Sequence, residues 1–180
     1  MLLSDDLDML EKARFWATQA REKAPWYEHA ELGYNYRMSN LLAAVGRGQM
    51  TCLEERVAGR RAVFDRYARE LADLREISFM PELCGSFSNR WLTAVTVNPS
   101  CGKSFMDIMN YLDTRGIECR PVWKPMHRQP VFAGLKYFAD GEESVSDRLF
   151  ETGLCLPSCS AMTDAEQGWV IKCLREAVRS

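Results

Sequence analysis

The sequence predicts an α+β fold: one long connecting helix, then a small, largely antiparallel sheet of three or four strands with helices covering one face. Three observations predict it. From Ser39 to about Leu74 no proline appears, and apolar residues recur at three- and four-residue steps. Beyond Ile77, short apolar runs alternate with helical patterns and are separated by glycine and proline. The closing segment opens with Thr163 and, three residues on, Glu166, the spacing of a reciprocal capping box.

Taken in order, residues 4–21 carry apolar positions at Leu7, Leu10, Ala13, Phe15, Ala17 and Ala20 behind Ser4, Asp5 and Asp6, which predicts a helix with a capped start. Pro25, Gly33, His29 and the aromatic residues Trp26, Tyr27, Tyr34 and Tyr36 then break the pattern. An ordered loop that packs on something is expected there. Residues 39–74 place Leu42, Val45, Gln49, Cys52, Leu53, Val57, Phe64, Tyr67, Leu71 and Leu74 at helical spacing, a helix of ~54 Å if unbroken. Gly46, Gly48 and Gly59 each cost up to ~1 kcal/mol in such a helix, and with Ala43 and Ala44 they predict a place where another backbone comes close. So long a helix in a small chain reads as a connector between domains. Residues 77–80 and 91–97 predict strands, 104–114 a helix ended by Arg115 and Gly116, and 117–123 a third strand before Pro125 and Pro130. Residues 144–152 predict a helix, 154–156 a short extended piece and 163–179 the closing helix.

Composition narrows the function. The 180 residues hold 23 Lys plus Arg against 25 Asp plus Glu, a formal charge of -2, with 47% hydrophobic residues. No broad positive field exists to attract nucleic acid or anionic lipid. No stretch approaches the ~20 apolar residues of a membrane span. Seven cysteines, an odd number scattered through apolar runs behind a start that is acidic within five residues, predict a reducing, cytoplasmic setting without disulfides. No G-x-G-x-x-G, P-loop, H-E-x-x-H or C-x-x-C motif is present. Cys155 and Cys159 flank Pro157, far in sequence from His29 and His127, and read as inert core thiols and not as metal ligands.

Two segments carry candidate chemistry. In Arg120 to Pro130, three prolines restrain a loop that holds Lys124, His127 and Arg128, cationic groups suited to phosphates or hydroxyls of a ligand; a solvated loop whose histidine caps another group reads equally well. In Glu31 to Asn40, Asn35 and Arg37 stand just before the long helix, where backbone N–H groups and the helix dipole favour a phosphate. The plainer alternative has Asn35 stabilising a turn and Arg37 paired with a carboxylate such as Glu31. Arg56, Arg60 and Arg61 read as a solvated helix face.

The stretches GYNYRMSNLLAAVGRGQ (33–49), RPVWKPMHRQPVF (120–132) and LFETGLCLPS (149–158) together resemble the DegT/DnrJ/EryC1/StrS family of pyridoxal-phosphate-dependent sugar aminotransferases of fold type I. The likeness is strongest to members that aminate 4-keto-6-deoxy sugar nucleotides for surface glycans. It runs over essentially the whole chain and corresponds to the C-terminal half of a family member. It implies that residues 1–38 are a remnant of the large domain, 39–74 the interdomain helix and 75–180 the small C-terminal α+β domain. By the same likeness Asn35 touches the phosphate of pyridoxal 5'-phosphate across a dimer interface, and Arg37, Lys124 and His127 line the sugar-nucleotide pocket. The lysine that forms the Schiff base with that cofactor lies, in the family, in a Ser-Phe-Asn-Gly-Asn-Lys type segment upstream of the part matching Met1. None of Lys12, Lys23, Lys103, Lys124, Lys136 and Lys172 stands in such a context. No residue of these 180 is therefore assigned a catalytic role. The expectation is a chain inactive alone, working as a homodimer or with a chain that supplies the large domain, or else a non-catalytic binding or oligomerisation module of the same descent. The stretches 101–103 and 136–143 depart from the family pattern.

Overall fold

The computed structural model describes residues 2–139 and 144–179. Residues up to Cys52 and residues from Leu53 onward form separate compact units, each described by itself.

The first unit holds two helices. Helix α1 (Leu7–Ala17) starts at Asp6, whose carboxylate accepts from the Met9 amide at 3.0 Å. It is shorter at both ends than the sequence predicts. Helix α2 (Asn40–Met50) is capped by Ser39, whose Oγ accepts from the Leu42 amide at 3.3 Å. The expected helix over 39–74 is interrupted at Thr51 and Cys52. There the amides of Thr51 and Cys52 donate to the carbonyls of Gly48 and Gln49, three residues back, and the Thr51 hydroxyl donates to the Gly48 carbonyl at 2.7 Å. Two glycines weaken the preceding turn, and a hydroxyl that competes for its carbonyl tightens the ladder from four-residue to three-residue steps. Beyond the helix's own backbone, no described residue lies within 4 Å of a Cβ built at Gly46 or Gly48, so the close approach expected there is not made among the described residues. At Gly59 it is: an added methyl would stand 3.1 Å from Ser160 Cβ.

The second unit begins with helix α3 (Leu53–Glu70) and builds one four-stranded sheet. Strands β1 (Ile77–Phe79), β2 (Thr93–Val97), β3 (Arg120–Pro121) and β4 (Gly153–Leu156) pair in the order β1-β2-β4-β3, every neighbour antiparallel. The strand nearest the C-terminus thus lies between two earlier ones, with Leu154 opposite Val95 on one side and Pro121 on the other. All four of its residues are buried, which suits the unbroken Gly-Leu-Cys-Leu run. Along β2, Thr93, Val95 and Val97 are buried and alternate with the part-buried Ala94 and Thr96, the period of a strand with one core face. That face packs against α3, α4 (Phe105–Asp113) and α6 (Asp164–Arg179) through Val63, Tyr67, Ile108, Leu112, Val170 and Leu174. Helix α5 (Val145–Thr152) leads directly into β4. On its way Leu149 joins Ala94, Thr96 and Val122 around an apolar depression of about 210 Å³.

The capping box read from the sequence is present: the Thr163 amide donates to Glu166 Oε2 at 2.7 Å, and the Glu166 amide to Thr163 Oγ1 at 3.3 Å. Ser104 and Asp107 make a second one at the start of α4.

The arginines expected on a solvated face divide. Arg56 is exposed. Arg60 donates to the carbonyls of Trp91 at 2.6 Å and Ser158 at 3.0 Å, and Arg61 forms a bidentate pair with Glu82 at 2.9 and 3.0 Å. These two hold loops to the helix, because their carbonyl and carboxylate partners arrive only when the sheet closes. Glu82 also accepts from the Ser88 amide, and with Arg61 as the first cause its carboxyl is held down to about 2. A carboxyl depressed on folding contributes stability that is present above the unfolded glutamate value of ~4.3 and is lost as pH falls through the folded one. Unfolding midpoints should therefore drop between about pH 4.5 and pH 2, and Glu82→Gln should flatten that slope. Equal acid sensitivity in wild type and variant, followed by denaturant titration at each pH, would contradict the assignment.

Cys119, Cys155 and Cys173 are buried, and burial pushes the Cys119 thiol up to about 12. Cys159, expected in the core, is exposed, because it lies past the end of β4 beyond Pro157. Among the described residues no group of three or more His, Cys, Asp or Glu is placed to hold a metal ion. Among them, too, no helix is long and apolar enough to cross a membrane.

Candidate functional site

In the first unit, the chain leaves α1 through Gln19 and Ala20, both left-handed with φ of 70° and 48°. Non-glycine residues pay for this conformation in strain and hold it only where neighbours enforce it. Here the neighbour is the segment 34–36. The Tyr34 amide donates to the Trp16 carbonyl, the Gln19 amide to the Tyr34 carbonyl and the Tyr36 amide to the Ala17 carbonyl, all at 3.0 to 3.1 Å, and Thr18 bridges to Asn35. Gly33 is required, since a Cβ there would stand 2.3 Å from the Ala20 nitrogen. His29 Nδ1 lies 2.9 Å from the Gln19 carbonyl and ties the loop a second time.

This lattice places Asn35 and Arg37, both exposed. Asn35 Oδ1 accepts from the Arg37 amide at 3.2 Å, the turn-stabilising contact weighed from the sequence. The pairing of Arg37 with Glu31 does not occur. Glu31 instead meets Lys12 and accepts from Trp16 Nε1 at 2.7 Å, and these two contacts, Lys12 first, lower its carboxyl. The Arg37 guanidinium thus has no acidic partner among the described residues. The aromatic loop is less packed than expected: Trp26, Tyr27 and Tyr36 are 64%, 77% and 77% exposed.

In the second unit, β3 ends at Pro121 and the chain runs through two short 3-10 turns, Met126–Arg128 and Pro130–Phe132. Lys124 is exposed and has no acidic partner among the described residues. His127 is half-buried. Its Nε2 lies 3.0 Å from both carboxylate oxygens of Asp147, and its ring stacks on Tyr137 with centroids 3.7 Å apart and planes 18° from parallel. Arg128 pairs with Glu151 at 2.6 Å and approaches Asp147 at 3.6 Å. Asp147 sits in the first turn of α5, its amide donating to Ser144 Oγ at 3.2 Å. Its carboxyl is lowered, by the hydrogen bond to His127 before the contributions of Ser144 and Arg128. Tyr137 OH lies 3.1 Å from Ser144 Oγ, and that contact lowers its hydroxyl.

Lys124, His127 and Arg128 therefore share one ordered loop, and Asn35 and Arg37 share another. Reasoning from sequence overlooked Asp147 and Tyr137. Asp147 had one signal, its place three residues after Ser144 at a helix start. The sparse pattern of the stretch 136–143 concealed Tyr137, and residues 140–143 lie outside the described ones.

An antiparallel sheet in this order, layered on α4 and α6 and reached through α3, is a fold shared with solved aminotransferases of fold type I. The solved structure of DesI in the presence of its TDP-sugar product aligns with a TM-score of 0.81 over 98% of this chain and 44% of that chain, at 22% identity. The model of the DegT/DnrJ/EryC1/StrS aminotransferase family matches residues 1–175, and the chain belongs to that family. It is 50% identical over 175 residues to EpsN of Bacillus subtilis (strain 168), a protein named as a pyridoxal phosphate-dependent aminotransferase, covering 97% of this chain and 45% of that one. It is 29% identical over 181 residues to the GDP-perosamine synthase of Caulobacter vibrioides, covering 99% and 47%. The chain spans about half the length of the curated relatives it matches.

Proposed function

We propose that these residues are the C-terminal portion of a nucleotide-sugar aminotransferase, which transfers an amino group to a 4-keto-6-deoxy sugar nucleotide in surface-polysaccharide biosynthesis in the cytoplasm. The observation that carries this reading is a pair of exposed cations, Arg37 and Lys124, set in ordered loops without acidic partners among the described residues, in a chain 50% identical to EpsN over 97% of these residues and 45% of EpsN. Cations left unpaired on restrained loops suit a ligand that brings negative charge. Arg37, Lys124 and His127 take the sugar nucleotide in this reading.

The Asn35 side chain suits the phosphate of pyridoxal 5'-phosphate: its amide nitrogen is a hydrogen-bond donor just ahead of the N-terminus of α2, and its Oδ1 already accepts from the Arg37 backbone amide. Asn35 is the residue proposed to hold that phosphate. When bound, the cofactor supplies the electron sink for amino transfer. The amine that must hold and release it, and the large domain that carries it, belong to polypeptide outside these 180 residues, and the assembly is a homodimer or includes a chain that supplies that domain. Residues 1–38 side with that large domain, 39–74 link to it and 75–180 form the small domain. Exposed Leu41, Leu42, Val45 and Met50 along α2 favour a partner there, and they also support the second reading, a module of this descent that binds or oligomerises without catalysis.

The chain alone, given pyridoxal phosphate and glutamate, should show no borohydride-fixable absorbance and no turnover. Joined to the N-terminal half of EpsN, it should transfer the amino group, and His127→Ala should then weaken sugar-nucleotide binding about tenfold, the effect of losing one hydrogen bond to a charged or polar ligand. Turnover by the chain alone would refute the dependence on a second half. A folded, joined enzyme without activity would leave the non-catalytic module.

A further inference from the structure

We propose that Asp147 is a positioning residue that locks His127 in the tautomer with its proton on Nε2, leaving Nδ1 as the acceptor for a sugar hydroxyl of the ligand. This rests on the reading of the loop as sugar-nucleotide binding. An ionised carboxylate can only accept hydrogen bonds, and both Asp147 oxygens lie 3.0 Å from Nε2, so the proton between them belongs to the histidine. The hydrogen bond one ring nitrogen makes decides what the other one offers.

The surroundings hold the ring in this state. Tyr137 lies flat against it, and Tyr137 OH is tethered to Ser144 Oγ at 3.1 Å and Ser146 Oγ at 3.4 Å on the same helix start that carries Asp147. Ring, carboxylate and stacking partner are thereby anchored to one turn of α5. Arg128, 3.6 Å from Asp147, already gives that carboxylate a cation, so the pair does not require an imidazolium. His127 Nδ1 has no hydrogen-bond partner among the described residues. The imidazole borders an open depression of about 300 Å³ with Met126, Phe132, Leu135 and Lys136.

The chemistry this presents is specific. A lone pair on Nδ1 meets a group that can donate, a hydroxyl, and repels a phosphate oxygen, which has no proton to give. Lys124, three residues earlier, suits the phosphate. The loop would then divide its ligand, with sugar at His127 and diphosphate at Lys124.

The test is nitrogen-15 NMR of the histidine-labelled chain under mildly alkaline conditions, with the two histidines told apart by a His29→Gln variant. The wild type should show His127 in the Nε2–H form by at least about ten to one. Asp147→Asn, which can itself donate, should reduce that preference about tenfold or more, and Asp147→Glu should keep it, the sizes expected for one charge-assisted hydrogen bond. TDP-glucose should move the Nδ1 resonance, and TDP alone should not. Tautomers equally populated in the wild type, a preference that survives Asp147→Asn, or a proton on Nδ1 overturns the role of Asp147. If Asp147→Asn fails to fold, the wild-type spectrum decides alone. A locked ring whose Nδ1 ignores TDP-glucose overturns the hydroxyl contact and the binding role of the loop, while the positioning by Asp147 stands.

Discussion

Leu154→Ala should lower the unfolding free energy of the sheet-bearing unit by about 2–5 kcal/mol, the range for deleting a fully buried leucine side chain from a core that cannot collapse around the gap. Leu154 has no exposed surface. It lies in the second strand from the sheet edge, opposite Val95 and Pro121, so the strands on both sides would have to move together to fill the space. In urea the midpoint should fall with little change of slope, because the area exposed on unfolding hardly alters. Leu154→Met, nearly equal in volume, should cost less than about 1.5 kcal/mol. A midpoint unchanged by the alanine would mean that β4 does not stand where the sheet order places it.

Gly153→Ala tests the opposite error, too much volume in place of too little. The glycine φ of -89° is open to any residue, so nothing is lost in backbone freedom. The obstacle is space: an added Cβ would stand 2.3 Å from the Leu149 carbonyl oxygen and 2.4 Å from Val122 Cγ2. Val122 can rotate, but the carbonyl belongs to helix α5 and can yield only if the helix shifts. Overpacking of this kind costs typically 1–3 kcal/mol, here read from the same urea titration. The variant should also disturb the candidate site, because α5 carries Asp147 and Val122 opens the loop of His127. A loss of the Nε2–H preference in Gly153→Ala, with Asp147 untouched, is the expected result. Full stability together with an unchanged histidine spectrum would show that the close approach is not real.

What could be read ahead of the structure was local. The capped start of α1, the strand that becomes β2 and the capping box that opens α6 all arise from neighbours within a few residues, and each stands within a few residues of where the sequence pattern predicts it. What escaped was made by distant partners. Arg60 and Arg61 look like a solvated basic run until Ser158, Trp91 and Glu82 arrive from 98, 31 and 21 residues away. His127 and Asp147 are 20 residues apart, a separation that carries no signal in a single sequence. The interruption at Thr51 needed one hydroxyl to prefer a carbonyl over solvent, a choice the apolar spacing cannot express. Asn35 was legible as a turn residue, but the strained pair Gln19 and Ala20 that holds its segment was not, because neither residue type advertises a left-handed backbone.

The order of the sheet has a consequence for how the polypeptide is made. Strands β1 and β2 leave the ribosome long before β4, and the gap between β2 and β3 closes only when the Gly-Leu-Cys-Leu run is threaded in. Until then the nascent chain presents an open hydrogen-bonding edge beside apolar side chains, the condition under which unfinished sheets stick to one another. Synthesis that stalls before residue 153 leaves an adhesive fragment, and such fragments are natural clients for chaperones that shield bare strands.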